Sequence, residues 1–122
     1  MRNAIVWSEI AVSDLKRATA FYEKLLDAKL RPESFGPFRI ALFPYGEGAV
    51  GGCLMQGEGY EPSGRGTVTY LPAEPGIDAA LERARAAGAK VLMPKTALPG
   101  EQGFIAQVSD CEGNRIGLHA MS

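Results

Sequence analysis

Few side chains in this sequence could carry chemistry, and they are scattered along it. Glu9 and the only histidine, His119, stand near opposite ends of the chain. A carboxylate and an imidazole brought together can orient a polar ligand, or act as general base and acid with pKa values tuned by burial. Trp7 offers a flat ring that could stack on an aromatic or planar ligand, with filling the core as the alternative. The two cysteines, Cys53 and Cys111, fall one in each half with no CxxC spacing. Cys111 reads as an exposed turn thiol between Asp110 and Glu112, whose charges raise its pKa, so no nucleophilic role is expected of it. No Ser-His-Asp order, phosphate-cradling glycine loop or dinucleotide fingerprint occurs.

Composition narrows the classes further. At 122 residues the chain is one domain's worth, and its net charge of −1 lacks the clustered Lys and Arg that nucleic acid would require. No apolar run is long enough to cross a bilayer, and no cationic stretch followed by an apolar one opens the chain. The expectation is a reduced cytoplasmic protein with no nucleic-acid or membrane partner.

The elements that must position these residues follow from periodicity. Asn3 to Val12 reads as a strand, with Ile5, Trp7, Glu9 and Ala11 on one face and the more apolar Ala4, Val6, Ser8, Ile10 and Val12 on the other. The second face suits a covering helix, which turns Trp7 and Glu9 the other way. That helix runs from Asp14 to about Asp27, with Leu15, Ala18, Tyr22, Leu25 and Leu26 at helical spacing and Ser13 as the expected N-cap. Extended structure resumes over 28–31. Gly36-Pro37 signals a turn before a strand over 38–43, and a further strand covers 49–55. Gly51 and Gly52 inside that strand imply a bulge, a bend or a close approach by another group.

The stretch 56–65, rich in Gly, Pro, Ser and charge, reads as a linker, and the same order of elements then returns. A strand over 66–71, a helix over 77–87 ended by Gly88, and strands over 90–93, 104–108 and 114–120 are expected, with 94–103 as a loop. Tyr70 lines the inward face of its strand if Val68 and Tyr70 face in together, and otherwise packs under the second helix. The organisation is α+β: two tandem βαβββ modules, about 1–57 and 66–122, in a single domain.

The opening strand with Val12-Ser13-Asp14-Leu15, the Arg17-Ala18 and Phe21-Tyr22 pairs, Ala86-Ala87-Gly88-Ala89 and the closing Asp110 to Leu118 together resemble the vicinal oxygen chelate superfamily, the glyoxalase, bleomycin-resistance and dioxygenase group. The resemblance implies a curved, cup-like mixed sheet with helices outside and pairing as a homodimer. It also implies a divalent metal held by His and Glu on the first and last strand of each module. The corresponding positions here are Trp7, Gly51 or Gly52 beside Cys53, the span Thr67 to Thr69, and Gly117, and none is a His or a carboxylate. The expectation is therefore no catalytic metal and no other cofactor.

Glu9 and His119 lie two places along from Trp7 and Gly117, so each shares a face with an implied ligand position and the two could meet inside the cup. The alternatives are that Glu9 anchors a neighbouring backbone or loop and that His119 is idle at the rim. A relocated metal site using Glu9, His119 and Cys53 is the remaining variant. The leading reading is a glyoxalase- or bleomycin-resistance-like protein that binds a small organic molecule in an apolar cleft, with Trp7, Glu9, Cys53, Tyr70 and His119 as candidate ligand-binding residues and no assigned catalytic residue. The rival is a metal-dependent lyase, isomerase or dioxygenase acting on a substrate with vicinal oxygens.

Overall fold

The computed structural model describes residues 3–122. Eight strands and two helices follow one another as β1 (Trp7–Ala11), α1 (Leu15–Leu26), β2 (Arg31–Phe35), β3 (Phe38–Leu42), β4 (Gly51–Gln56), β5 (Thr69–Pro72), α2 (Ile77–Ala86), β6 (Lys90–Ala97), β7 (Phe104–Ser109) and β8 (Arg115–Ala120). They form two four-stranded mixed sheets of matching order, β1-β4-β3-β2 and β5-β8-β7-β6. In each, the first strand runs parallel to the last and the other neighbours are antiparallel. The expected α+β tandem of two βαβββ modules is the observed fold.

Alternation along the strands sorts the side chains as the sequence indicates. Ile10, Val12, Ala41 and Leu54 from the first sheet join Leu71, Ala106, Val108, Ile116, Leu118 and Ala120 from the second in one buried cluster beneath both helices. The helices contribute Leu15, Ala18, Phe21, Tyr22 and Leu25, then Ile77, Ala80, Leu81 and Ala84. Removing this apolar area from water, at about 25 cal/mol per Å², is the main favourable term, and it is shared between the modules. A smaller cluster of Ile40, Cys53 and Met55, flanked by Phe38, Leu42 and Tyr60, fills the opposite face of the first sheet.

Four expectations are corrected. Asp14, not Ser13, caps α1: its carboxylate accepts from the Arg17 amide at 3.0 Å. The Ser13 hydroxyl is drawn away to Glu112, to which it donates at 2.6 Å. The first and fifth strands are shorter at their starts than 3–12 and 66–71, because pairing begins only at Trp7 and Thr69. The start of the expected loop 94–103 is strand, since β6 continues to Ala97; the register shifts on either side of Met93 let an edge strand accommodate Pro94, which cannot donate to a ladder. Cys111 is half-buried against the core rather than exposed, and Arg17 stands near it. Burial and Asp110 push its thiol pKa up, and Arg17 only partly opposes them.

The modules meet along β1 and β5. Ser8 Oγ lies 3.5 Å from Thr69 Oγ1, and Asn114 Nδ2 donates to the Ala11 carbonyl at 2.8 Å. The buried Asp110 carboxylate organises the turn behind that junction, accepting from the Glu112 amide, from the Asn114 amide and side chain, and from the Tyr22 hydroxyl. Every buried polar side-chain atom described has a hydrogen-bond partner.

Candidate functional site

Because Ile10 and Val12 face the helices, the strand period turns Trp7, Glu9 and Ala11 to the other side of β1, where they line a cavity of about 590 Å³ between the modules. Tyr70 closes it from β5, together with Thr67 and Thr69. Tyr70 therefore faces inward rather than packing under α2, and it is 42% exposed. The two walls are built alike. In the β1–β4 register Trp7 stands level with Gly51, and in the β5–β8 register Tyr70 stands level with Gly117.

Each of those glycines is required by an aromatic ring. The Tyr70 ring lies where a Cβ on Gly117 would project, and the Tyr45 ring lies where one on Gly51 would project. Tyr45 meets Trp7 edge-on, with centroids 6.2 Å apart. Gly52 answers a different approach, that of the Ser8 carbonyl oxygen. The two adjacent glycines in β4 thus reflect close approach rather than a bulge.

The polar candidates are placed apart. Glu9 accepts from Trp7 Nε1 at 3.3 Å and from the Tyr60 hydroxyl at 2.8 Å. The Glu9 carboxylate raises the Tyr60 pKa, chiefly through that hydrogen bond. His119 Nε2 is 2.7 Å from the Gln102 carbonyl, to which it must donate, and so ties the 98–103 loop to β8. No hydrogen bond or ion pair joins Glu9 and His119 among the described residues. His119 does not line the cavity. Cys53 is level with Glu9 in the register but fully buried against Ile40 and Met55, and burial, then Glu9, push its thiol pKa up to about 11.

On the second wall Tyr70 is joined by two side chains absent from the candidates read in the sequence, Gln107 and Arg115. Arg115 Nη1 donates to Gln107 Oε1 at 2.9 Å, and Gln107 Nε2 donates to the Tyr70 hydroxyl at 2.7 Å. Arg65, from the stretch between the modules, also lines the cavity. A signal for Arg115 was present: it lies two residues before Gly117, hence on the same face by strand period. Tyr45 and Tyr60 had none, because a turn and a linker do not reveal where their side chains go.

The register also revises which residue stands in for an implied ligand on β5. Tyr70, rather than any of Thr67 to Thr69, is level with Gly117. An indole and two glycines supply no metal-binding donor, and a phenol pointing from one wall is not a ligand set, so these residues do not fit a divalent metal. Among the described residues, no three His, Cys, Asp or Glu side chains form a group that could hold a metal ion.

Two sheets in repeated order, covered on one side by paired helices and flanking a cavity on the other, define a two-module α+β fold. The chain belongs to the glyoxalase/bleomycin resistance protein/dioxygenase superfamily, whose family model matches residues 4–118. Among solved structures it is similar to UcmS2, at 25% identity with 98% of each chain covered and a TM-score of 0.69. It is also similar to the fosfomycin resistance protein FosX from Listeria monocytogenes, at 21% identity and a TM-score of 0.72, covering 98% of this chain and 92% of that one. Glyoxalase I from Leishmania major matches at 20% identity and a TM-score of 0.69, covering 98% and 87%. No curated protein matches the chain.

Proposed function

We propose that this protein binds a small organic molecule in the cleft between its modules, gripping a planar part of it against Trp7 and Tyr70, and does so without a metal ion. The observation that carries the reading is the paired construction of the cleft, in which an aromatic residue on the first strand of each module stands level with a glycine on the last. Rings of this kind supply apolar contact at low entropic cost. The lining mixes aromatic and aliphatic side chains with charged and hydroxyl groups, so the cleft is more polar than the apolar one expected, and its volume falls within the usual range for a ligand site. Relatives in the superfamily include resistance proteins, so sequestering a harmful compound in the cytoplasm fits the same cleft.

Trp7 is the only tryptophan in the chain, so its fluorescence reports on the cleft without labelling. Planar compounds that bind should change that emission and raise the melting temperature together, because a ligand bound only to the native state stabilises it. Planar compounds that raise the melting temperature yet leave Trp7 emission unchanged would move the site elsewhere. Elemental analysis after incubation with Ni, Mn, Fe(II) and Zn tests the metal-free part: a stoichiometric, stabilising metal would overturn it and favour a metal-dependent lyase, isomerase or dioxygenase. Pairing of two chains belongs to the same reading, since Ile5, Val6, Tyr45 and Val50 leave apolar surface exposed. Light scattering that gives a monomer at every concentration would remove it.

A further inference from the structure

We propose that the ligand of this cleft carries a carboxylate, held by Arg115, with its planar body lying between Trp7 and Tyr70. The proposal rests on the reading of the cleft as the binding site and adds the chemical class of what enters it.

The orientation of the second wall follows from what each group can do. A guanidinium only donates, so the Gln107 oxygen must face Arg115 and its amide nitrogen must face Tyr70, as the distances of 2.9 and 2.7 Å have it. The Tyr70 oxygen is then the acceptor of that bond, and its own proton is directed away from Gln107. Tyr70 and Arg115 thus both present donors, and both line the cavity. Gln107 is the one side-chain acceptor that Arg115 has among the described residues, and none of the ion pairs within 4.0 Å involves Arg115 or Arg65. A half-buried guanidinium without a carboxylate partner, fixed at one nitrogen by a neighbour, keeps the rest of its fork for a planar anion.

The charges around the cavity favour a single negative charge. Arg65 and Arg115 line it, and so do Glu9 and Glu61. Glu9 is already engaged by Trp7 and Tyr60 on the first wall. A monocarboxylate finds a cation at the second wall, whereas a phosphate dianion brings a second negative charge into a cavity that Glu9 and Glu61 already line. Stacking against Trp7 and Tyr70 selects the planar body, and Arg115 selects its acidic end.

The test uses 2-naphthoate, its neutral isostere 2-naphthamide and 2-naphthyl phosphate, titrated calorimetrically into wild-type protein and the variants Arg115→Met and Arg115→Lys. Naphthoate is expected to bind the wild type about ten- to a hundred-fold more tightly than the amide. Arg115→Met should erase that preference, the acid losing far more affinity than the amide, and Arg115→Lys should keep only part of it, because an ammonium has no fork. Equal affinities for acid and amide, a preference that survives Arg115→Met, or tighter binding of the phosphate would each overturn the carboxylate assignment and leave the cleft standing. Failure of all three to bind the wild type or to alter Trp7 emission would overturn the assignment and remove its support from the cleft. Should Arg115→Met misfold, a reduced advantage of the acid in Arg115→Lys supports the assignment and an undiminished one overturns it.

Discussion

Glu112 joins the two modules through three contacts to the start of α1, and Glu112→Gln should show what that junction contributes. The carboxylate, on the turn between β7 and β8, accepts from the Ser13 hydroxyl at 2.6 Å, the Asp14 amide at 2.9 Å and Arg17 Nη2 at 3.0 Å. Its side chain is only 2% exposed, whereas that of Arg17 is 54% exposed. Burial alone would raise the Glu112 pKa, but the hydrogen bonds from Ser13, Asp14 and Arg17 outweigh it and hold the carboxyl below its ordinary value. A glutamine keeps one acceptor oxygen and turns an amide against the donors facing the other. Hydrogen bonds to a charged group contribute about 1.5–3 kcal/mol each, so the substitution should cost about 2–3 kcal/mol at pH 7. For a domain of this size that lowers Tm by about 6–15 °C, and Arg17→Met should lower it far less, since an exposed partner is screened. A carboxyl whose folded pKa is depressed contributes stability that is present above its unfolded pKa, about 4.3, and lost as pH falls through the folded value. The gap between wild type and Glu112→Gln, followed by thermal melts from pH 7 to pH 3, should therefore narrow below about pH 4. A gap that stays constant across that range, or one smaller than that of Arg17→Met, would refute the reasoning.

Three further substitutions or treatments test the rest of the framework. Tyr22→Phe removes the hydroxyl that donates to buried Asp110 and should cost about 1–3 kcal/mol in denaturant melts. With Cys53 fully buried and its pKa near 11, a thiol reagent at pH 8 should modify at most Cys111 in the native protein and both cysteines in denaturant; native reactivity at Cys53 would show that the face it packs against is open. Gly117→Val places a branched side chain where the Tyr70 ring lies, which should displace the ring, break its bond to Gln107 and abolish planar-ligand binding, while overpacking costs about 1–3 kcal/mol of stability. Retained affinity in that variant would take Tyr70 out of the site.

The architecture was legible because its causes are local. Helical spacing from Leu15 to Leu25, strand alternation around Ile10 and Val12, and the return of the same order after residue 65 are each set within a dozen residues. The inward face of β1 was readable for the same reason. What could not be read depends on groups brought together from afar. Ser13 loses the cap to Asp14 because a carboxylate 99 residues later takes its hydroxyl. Tyr60 reaches Glu9 across 51 residues, from a stretch whose composition signals only flexibility. The missing polar wall is instructive in another way, since Arg115 has the parity of Gly117 and His119 and was accessible to the argument that singled out His119. A search for metal donors passes over a guanidinium, although for an anionic ligand it is the side chain to seek.

The pairing of aromatic residue and glycine bears on how such a cleft can change. Tyr70 needs Gly117 to be bare, and Tyr45 needs Gly51 to be bare, so the two members of each pair are constrained together. Replacing Gly117 by a metal-binding carboxylate residue would drive its Cβ into the Tyr70 ring, and a histidine at Trp7 would still face a strand with no second donor level with it. A single substitution on this background loses aromatic contact without assembling a coordination sphere, which needs at least three ligands at once. The helices and most of the shared core lie on the other side of the sheets, with Ile10 and Ile116 the core residues that also reach the cavity. Converting this aromatic-lined cleft to a metal set would therefore need paired changes on neighbouring strands.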